Sequence, residues 1–181
     1  MKHMLQIRND LEIIELLRKG PRHIRRLGEE IGLIPSTVMR TIRKLEEENT
    51  LDFRQEGKNK VYFLKNTPEA KAYIFLTENY KLLKALNNAK VRRIVKELQE
   101  KTKGELIVLF GSYAKNNYKK GSDIDIYLET QNKQLKKELE KISEKLSIKI
   151  GKLNKDNLLT KEIIKDHIII QNIDRFYQIT R

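Results

Sequence analysis

Asp123 and Asp125 are the residues of this chain whose type and spacing most clearly indicate chemistry. They alternate with isoleucines in the run Asp-Ile-Asp-Ile, which is typical of a strand, and side chains two residues apart on a strand point to the same face. Two like charges held side by side repel each other, which raises the pKa of at least one carboxyl group unless a cation lies between them. Because carboxylate oxygens are the hard ligands that Mg²⁺ prefers, the spacing predicts a magnesium site at this pair.

A glycine–serine step precedes the pair and predicts a contact with phosphate. Gly111 and Ser112 follow the apolar run Leu-Ile-Val-Leu-Phe at 106–110, which reads as a buried strand. Glycine at the end of a strand lets the backbone approach a phosphate closely, the N–H groups that follow open a helix, and the serine adds a hydroxyl donor. The alternative is an ordinary strand-to-helix turn, where the same residue types are common.

Taken together, these four residues form the pattern Gly-Ser, ten residues, Asp-x-Asp. This pattern resembles the signature of the minimal nucleotidyltransferases of the DNA polymerase beta superfamily, the MNT antitoxin group. The resemblance covers about residues 105 to 181. It implies that Gly111 and Ser112 hold the triphosphate and that Asp123 and Asp125 carry the metal for in-line attack on the α-phosphorus. It also implies ATP as the donor and, as the acceptor, a hydroxyl of a partner protein such as a tyrosine on a small helical HEPN toxin.

The loop between the two halves of the motif is rich in cations and amides. Lys120 is the candidate nucleotide-binding residue of this loop, and the alternative is a solvated loop lysine. Lys115 stands where the antitoxin group commonly has arginine, so the position departs from the family pattern but keeps its charge.

A third carboxylate is missing from its expected place. Catalytic members of the superfamily supply one from a later strand, as a metal ligand and a base. Residues 147 to 153 alternate between apolar and polar residues and are the expected later strand. The candidate positions for the third acid on this strand are Lys149 and Gly151, and neither is an acid. Asp156 lies beyond them in the wrong register. Three explanations stay open: catalysis with two acids and an external base, a displaced acid such as Asp156, or a domain that only binds nucleotide.

The first third of the chain predicts a helix-turn-helix. Residues 9–19 and 23–31 have apolar residues at helical spacing, and the second stretch ends at Gly32. A further helix is expected to begin at Ser36, which is a good N-cap residue. A helix, a short turn that contains glycine and another helix is the layout of this motif.

Two alternating runs, 51–54 and 61–64, follow and predict a hairpin with cations at its tip. Residues 8 to 66 thereby resemble the winged helix-turn-helix domains of prokaryotic transcription regulators, in overall pattern and not by a signature motif. The resemblance implies duplex DNA as a partner, whereas a protein-docking or dimerisation module is the alternative. Glu46, Glu47 and Glu48 at the end of the recognition helix would repel a phosphate backbone.

The predicted DNA contacts combine short hydroxyls with long cations on the face opposite the apolar stripe of the recognition helix, together with lysines near the hairpin tip. They are Ser36, Thr37, Arg40, Thr41, Lys44, Lys58 and Lys60.

These patterns predict a mixed α/β (α+β) chain in three parts. A winged helix-turn-helix domain is expected at residues 1–66, a helical connector at 67–103, and a polymerase beta-like nucleotidyltransferase sheet flanked by helices at 104–181. In winged-helix regulators a helix after the wing often pairs two protomers, so we expect a homodimer. The alternative is that this helix covers the core of the winged domain.

Composition narrows the classes of function. The net charge of +13 favours a polyanionic partner, although high lysine and glutamate content without cysteine also suits a heat-adapted organism. The absence of cysteine excludes disulfides, thiolate metal sites and cysteine nucleophiles. No apolar run is long enough for a membrane span or a signal peptide, which predicts a cytoplasmic protein with no membrane partner.

Two functions follow from the sequence. The first is a DNA-binding regulator with a magnesium-dependent nucleotidyltransferase domain, acting as an antitoxin that transfers AMP from ATP to a hydroxyl of a partner protein. The second is a non-catalytic transcription regulator whose degenerate transferase domain only binds nucleotide or dimerises. The missing third acid favours the second.

Overall fold

The computed structural model describes residues 6 to 180. The chain divides into two compact units between residues 80 and 81, so the predicted connector 67–103 falls across this division. Each unit has its own apolar core, and each is described by itself below. Among the described residues, no helix is long and apolar enough to cross a membrane.

The first unit contains three helices, a hairpin and most of a fourth helix. Its elements are α1 (Asn9–Arg18), α2 (Ile24–Ile31), α3 (Pro35–Glu47), β1 (Leu51–Glu56), β2 (Asn59–Leu64) and α4 (Pro68–Ala85), of which the last turn belongs to the second unit. Apolar residues at helical spacing on the first three helices meet Leu51 and Tyr62 of the hairpin in one buried cluster. Three helices followed by an antiparallel hairpin form the predicted winged helix-turn-helix fold.

The turn between α2 and α3 depends on a small residue. The N–H of Leu33 donates to the carbonyl of Gly28 at 2.9 Å, and a Cβ at Gly28 would lie 2.6 Å from the Leu33 carbonyl oxygen. The predicted N-cap at Ser36 is wrong, because α3 begins at Pro35 and Ile34 takes the N-cap position. Proline suits the first helical position since its φ is already helical and its missing N–H would have had no partner there.

The second unit is an α+β domain that surrounds a four-stranded sheet. Its elements are α5 (Ala89–Lys101), β3 (Ile107–Phe110), α6 (Gly111–Ala114), β4 (Ile124–Leu128), α7 (Lys133–Glu140), β5 (Leu146–Ile150), α8 (Leu158–Lys165), β6 (Ile168–Gln171) and α9 (Ile173–Thr180). The strand order is β5-β4-β3-β6, with β4 parallel to β5 and the other pairs antiparallel.

Both faces of this sheet are covered, which explains why its strands are so apolar. Ile124 and Ile126 of β4 face a cluster that includes residues of α5 and α7. Tyr127 of the same strand faces the opposite cluster, which contains Ile163 of α8 and Phe176 of α9. The prediction of a sheet flanked by helices is therefore confirmed, and Asp125 lies on the face that carries α8 and α9.

Candidate nucleotidyltransferase site

The centre of the site is the contact between Gly111 and Asp125. Phe110, the last residue of β3, pairs with Asp125 on β4, and the chain turns immediately afterwards into α6. Gly111 adopts a φ of 68°, and a Cβ there would lie 2.5 Å from Oδ2 of Asp125. Only glycine combines this left-handed conformation with so close a carboxylate. The structure thus brings the two halves of the motif together, with half-buried Ser112 next along the chain.

Asp123 lies directly before β4, one residue outside the strand, and its side chain is exposed. Its Oδ1 is 3.9 Å from Nζ of Lys145, the residue that precedes β5. Burial raises the pKa of the Asp125 carboxyl above its usual value, and the negative charge of Asp123 also raises this pKa. A hydrogen bond with Ser147 and the positive charge of Lys149 lower the same pKa, but burial and repulsion outweigh them. The paired aspartates therefore repel each other, as the sequence predicts.

The strand beside Asp125 differs from the expectation. In the parallel pairing of β4 with β5, Asp125 lies opposite Ser147, and Tyr127 lies opposite Lys149. The position nearest to Asp125 is thus a serine, and the assignment of Lys149 and Gly151 as the candidate positions was wrong. Gly151 lies beyond the end of β5. Asp156 lies in an exposed turn before α8.

A third acid near the site comes from a helix. Glu162 on α8 accepts a hydrogen bond from Lys115 Nζ at 3.3 Å, and Lys115 directly follows α6. The negative charge of Glu162 also raises the pKa of Asp125. Sequence reasoning did not find this residue, because it looked for an acid on the strand after the motif. No local pattern marks one glutamate of an amphipathic helix.

The donor set suits a hard divalent cation. No group of three or more histidine, aspartate or glutamate side chains in residues 6–180 is arranged to hold a metal ion. Mg²⁺ usually takes only one or two protein carboxylates and completes its octahedron with water and phosphate oxygens, so Asp123 and Asp125 suffice as a partial ligand set. Lys120 is exposed in the loop before β4, where its predicted contact with nucleotide stays a prediction.

In the winged helix-turn-helix unit, the predicted DNA contacts on α3 differ in their exposure to solvent. Ser36, Arg40 and Lys44 are exposed on one side of α3, whereas Thr37 and Thr41 are half-buried. The Thr41 hydroxyl donates to the Thr37 carbonyl at 3.0 Å, so it already has a partner within the helix. Arg40 is thus the predicted contact best placed to reach a nucleic acid, together with Ser36.

Several charges at the end of α3 and in the hairpin are paired. Glu48 accepts a hydrogen bond from the Tyr73 hydroxyl and lies 3.7 Å from Lys44 Nζ, so its charge is partly compensated. Nζ of Lys60 lies 3.6 Å from the centroid of the Phe53 ring, in a cation–π contact. Lys58 is exposed in the hairpin turn.

Comparison with known proteins identifies the class of the second unit. Residues 91–177 match the family model described as "Nucleotidyltransferase domain". This part of the chain is a nucleotidyltransferase domain, which confirms the resemblance seen in the Gly-Ser and Asp-x-Asp pattern. The chain therefore joins a winged helix-turn-helix fold to a nucleotidyltransferase domain.

Parts of the chain show weaker similarities to solved structures. The transcriptional repressor BigR from Xylella fastidiosa is 22% identical over 38% of this chain and 67% of its own, with a TM-score of 0.35. A transcriptional regulator from Thermotoga maritima is 20% identical over 52% of this chain and 72% of its own, with a TM-score of 0.35. A toxin–antitoxin with AMP-PNP is 18% identical over 57% of this chain and 80% of its own, also with a TM-score of 0.35. No curated protein matches the sequence.

Proposed function

We propose that this protein is a DNA-binding regulator whose second unit is a magnesium-dependent nucleotidyltransferase, and that it acts as an antitoxin by transferring AMP from ATP to a hydroxyl of a partner protein. The observation that carries the proposal is the contact of Gly111 with Asp125, inside a domain that matches the nucleotidyltransferase family. The repelling pair of Asp123 and Asp125 supports it, because the pair would be stabilised by a divalent cation.

The chemistry assigns a role to each residue of the motif. Asp123 and Asp125 would hold Mg²⁺, which when bound would offset the charge of the phosphates. Gly111 would let the triphosphate approach the backbone, and Ser112 would donate a hydrogen bond to it. An acceptor oxygen would attack the α-phosphorus as the bond from that phosphorus to the bridging oxygen breaks. Pyrophosphate would leave, and the hydroxyl proton would pass to a base.

The second candidate is a regulator that binds nucleotide without transferring it. The observation that favours it is the register of β5, which places Ser147 beside Asp125 where a catalytic member would supply an acid. Such a protein would bind Mg²⁺ and ATP but would leave both unchanged.

One labelling experiment distinguishes the two candidates. The protein is incubated with Mg²⁺, ATP labelled on the α-phosphate and a lysate of its source organism, and protein-bound label is counted. We expect transfer by the parent, loss in Asp125→Asn, and retention in the matched control Asp174→Asn, which neutralises an exposed aspartate of α9 outside the motif. Nucleotide binding without transfer by the parent would establish the second candidate. Equal transfer by Asp125→Asn would refute the assigned site.

We further propose that a homodimer of the protein binds duplex DNA through α3. The proposal is supported by the exposure of Ser36 and Arg40 and by the positive net charge.

The binding of the protein to DNA from its own upstream region can be measured by fluorescence anisotropy. Arg40→Ala should weaken this binding by about 1–3 kcal/mol if Arg40 contacts a base. It should reduce the salt dependence if Arg40 contacts a phosphate. Arg25→Ala is the control, because Arg25 is an exposed arginine on α2 that pairs with Glu29. Equal binding by the two variants would exclude α3 as the reading helix.

A further inference from the structure

Ile34 is exposed at a place where the fold gives it no packing role. It directly precedes α3, and it is 67% exposed. Its apolar neighbours behave differently, since Leu33 packs against the core of the first unit and Val38 is fully buried in it. The carbonyl of Ile34 accepts hydrogen bonds from the N–H groups of Thr37 and Val38 at 3.0 and 3.2 Å. Its backbone is therefore fixed, while its side chain faces solvent.

The same residue is a poor choice for the start of a helix. Ile34 takes the N-cap position of α3, and its side chain makes no capping hydrogen bond. Serine, threonine, aspartate or asparagine at an N-cap accepts a hydrogen bond from the first turn, and isoleucine is among the residues least favoured there. Leu33 and Val38 already occupy the two positions at which apolar residues commonly pack across a helix start. A residue that breaks a local rule without benefit to the fold is expected at a functional site.

We propose that Ile34 contacts the C5-methyl group of a thymine in the major groove and thereby contributes to the sequence specificity of this protein for DNA. The inference rests on the proposed binding of duplex DNA through α3, and it deepens that proposal by naming a base that the protein recognises. In a helix-turn-helix, the residues at the start of the second helix contact base edges. The thymine methyl is the apolar group that those edges offer.

The surroundings of Ile34 favour a nucleic acid over a protein as its partner. Among the described residues 20–50, no other large apolar side chain is exposed, and one side chain is too small a patch to dock a protein. The exposed charged residues of α3 are three cations and one anion, namely Arg40, Arg43, Lys44 and Glu47. An apolar side chain beside an excess of positive charge suits the edge of a base pair between phosphates.

Replacement of thymine by uracil removes only the methyl group and tests the contact from the side of the DNA. The probe is duplex DNA from the protein's own upstream region, in which hydroxyl-radical footprinting locates the bound stretch. Each thymine of that stretch is replaced by uracil in turn, and the dissociation constant is measured by fluorescence anisotropy. We expect a loss of affinity of about fourfold at one thymine of each half-site, the factor that corresponds to one buried methyl group. Binding by the parent that no uracil weakens would overturn the inference.

The variant Ile34→Ser separates this contact from other effects of the methyl group, such as those on DNA shape. It should bind the thymine and uracil duplexes equally, because the side chain that meets the methyl group has gone. Ile7→Ser is the matched control, because Ile7 is a 74% exposed isoleucine of the same unit outside the helix-turn-helix, and it should keep the preference of the parent for thymine. If Ile34→Ser binds too weakly to measure, Ile34→Val takes its place and should show a smaller preference than the parent. An unchanged preference in the variant measured would overturn the inference.

Thermal unfolding followed by circular dichroism tests the premise that Ile34 does not serve the fold. Because serine can cap α3, Ile34→Ser should unfold at a higher temperature than the parent, although it binds DNA less tightly. A lower unfolding temperature would show that the isoleucine stabilises the first unit and would overturn the inference. Absence of DNA binding by the parent, or equal binding by Arg40→Ala and Arg25→Ala, would instead overturn the proposed use of α3 on which the inference rests.

Discussion

Replacement of Gly111 by alanine tests the geometry on which the site depends. The new Cβ would lie 2.5 Å from Oδ2 of Asp125, so the carboxylate must retreat to the 3.4 Å at which ordinary van der Waals contact begins. The residue also has a φ of 68°, which costs an L-amino acid about 1–2 kcal/mol. Crowding of a packed contact adds about 1–3 kcal/mol. We therefore expect Gly111→Ala to lower the free energy of unfolding by about 2–5 kcal/mol.

Gly104→Ala is the matched control for this change. Gly104 has a φ of 92° in the same unit, and a Cβ there meets no atom within 4 Å. Its replacement should therefore lower the free energy of unfolding only by the cost of the left-handed backbone conformation, about 1–2 kcal/mol. Urea unfolding followed by circular dichroism measures both losses. Binding of Mn²⁺, followed by the loss of its free electron paramagnetic resonance signal, should be weaker for Gly111→Ala alone, because only that variant displaces Asp125.

A double mutant isolates the contact itself. Without the Asp125 carboxylate, the nearest remaining atom of that side chain would be its Cβ at 3.4 Å, which is an ordinary contact. In an Asp125→Ala background, Gly111→Ala should then cost no more than Gly104→Ala does. Equal stability losses for the two glycine variants in the parent background would show that the close approach does not exist and would remove the main support for the site.

Three further results are expected. Because burial raises the pKa of Asp125, its ionisation destabilises the fold as the pH rises through that pKa. Asp125→Asn should therefore unfold at a higher temperature than the parent at pH 7, and the difference should shrink as the pH falls towards the ordinary pKa of an aspartate. A difference that does not change with pH would contradict the assigned cause. Gly28→Ala should lower the free energy of unfolding by about 1–3 kcal/mol in urea, because the new Cβ would clash with the backbone carbonyl oxygen of Leu33; an increase in stability would refute that contact. Burial and the hydrogen bond to Glu48 raise the pKa of Tyr73 to about 12. Tyr73→Phe should therefore lower the free energy of unfolding by about 1 kcal/mol at pH 8. In thermal unfolding, the higher stability of the parent should decline as the pH rises from 10 towards 12.

Local patterns predicted the main elements of both units because the signals are short-range. The apolar run before Gly111 became β3, and the alternation after Asp123 became β4, as strand periodicity requires. The helix-turn-helix and its hairpin followed in the same way from helical spacing, glycine and proline. The start of α3 was predicted one residue late, because the capping preference of Ser36 was given more weight than the preformed φ of Pro35.

What the sequence by itself determined is the motif and the side of each strand on which its residues lie. Strand alternation places Asp125 on the face opposite Ile124 and Ile126 whatever the rest of the chain does, and Asp123 directly precedes that strand. The tertiary structure alone decided that Ser147 lies beside Asp125 and that Glu162 of α8 pairs with Lys115 at the end of α6. The physical reason is that the register of parallel strands and the position of a packed helix depend on contacts between residues far apart in the chain, which no local period records.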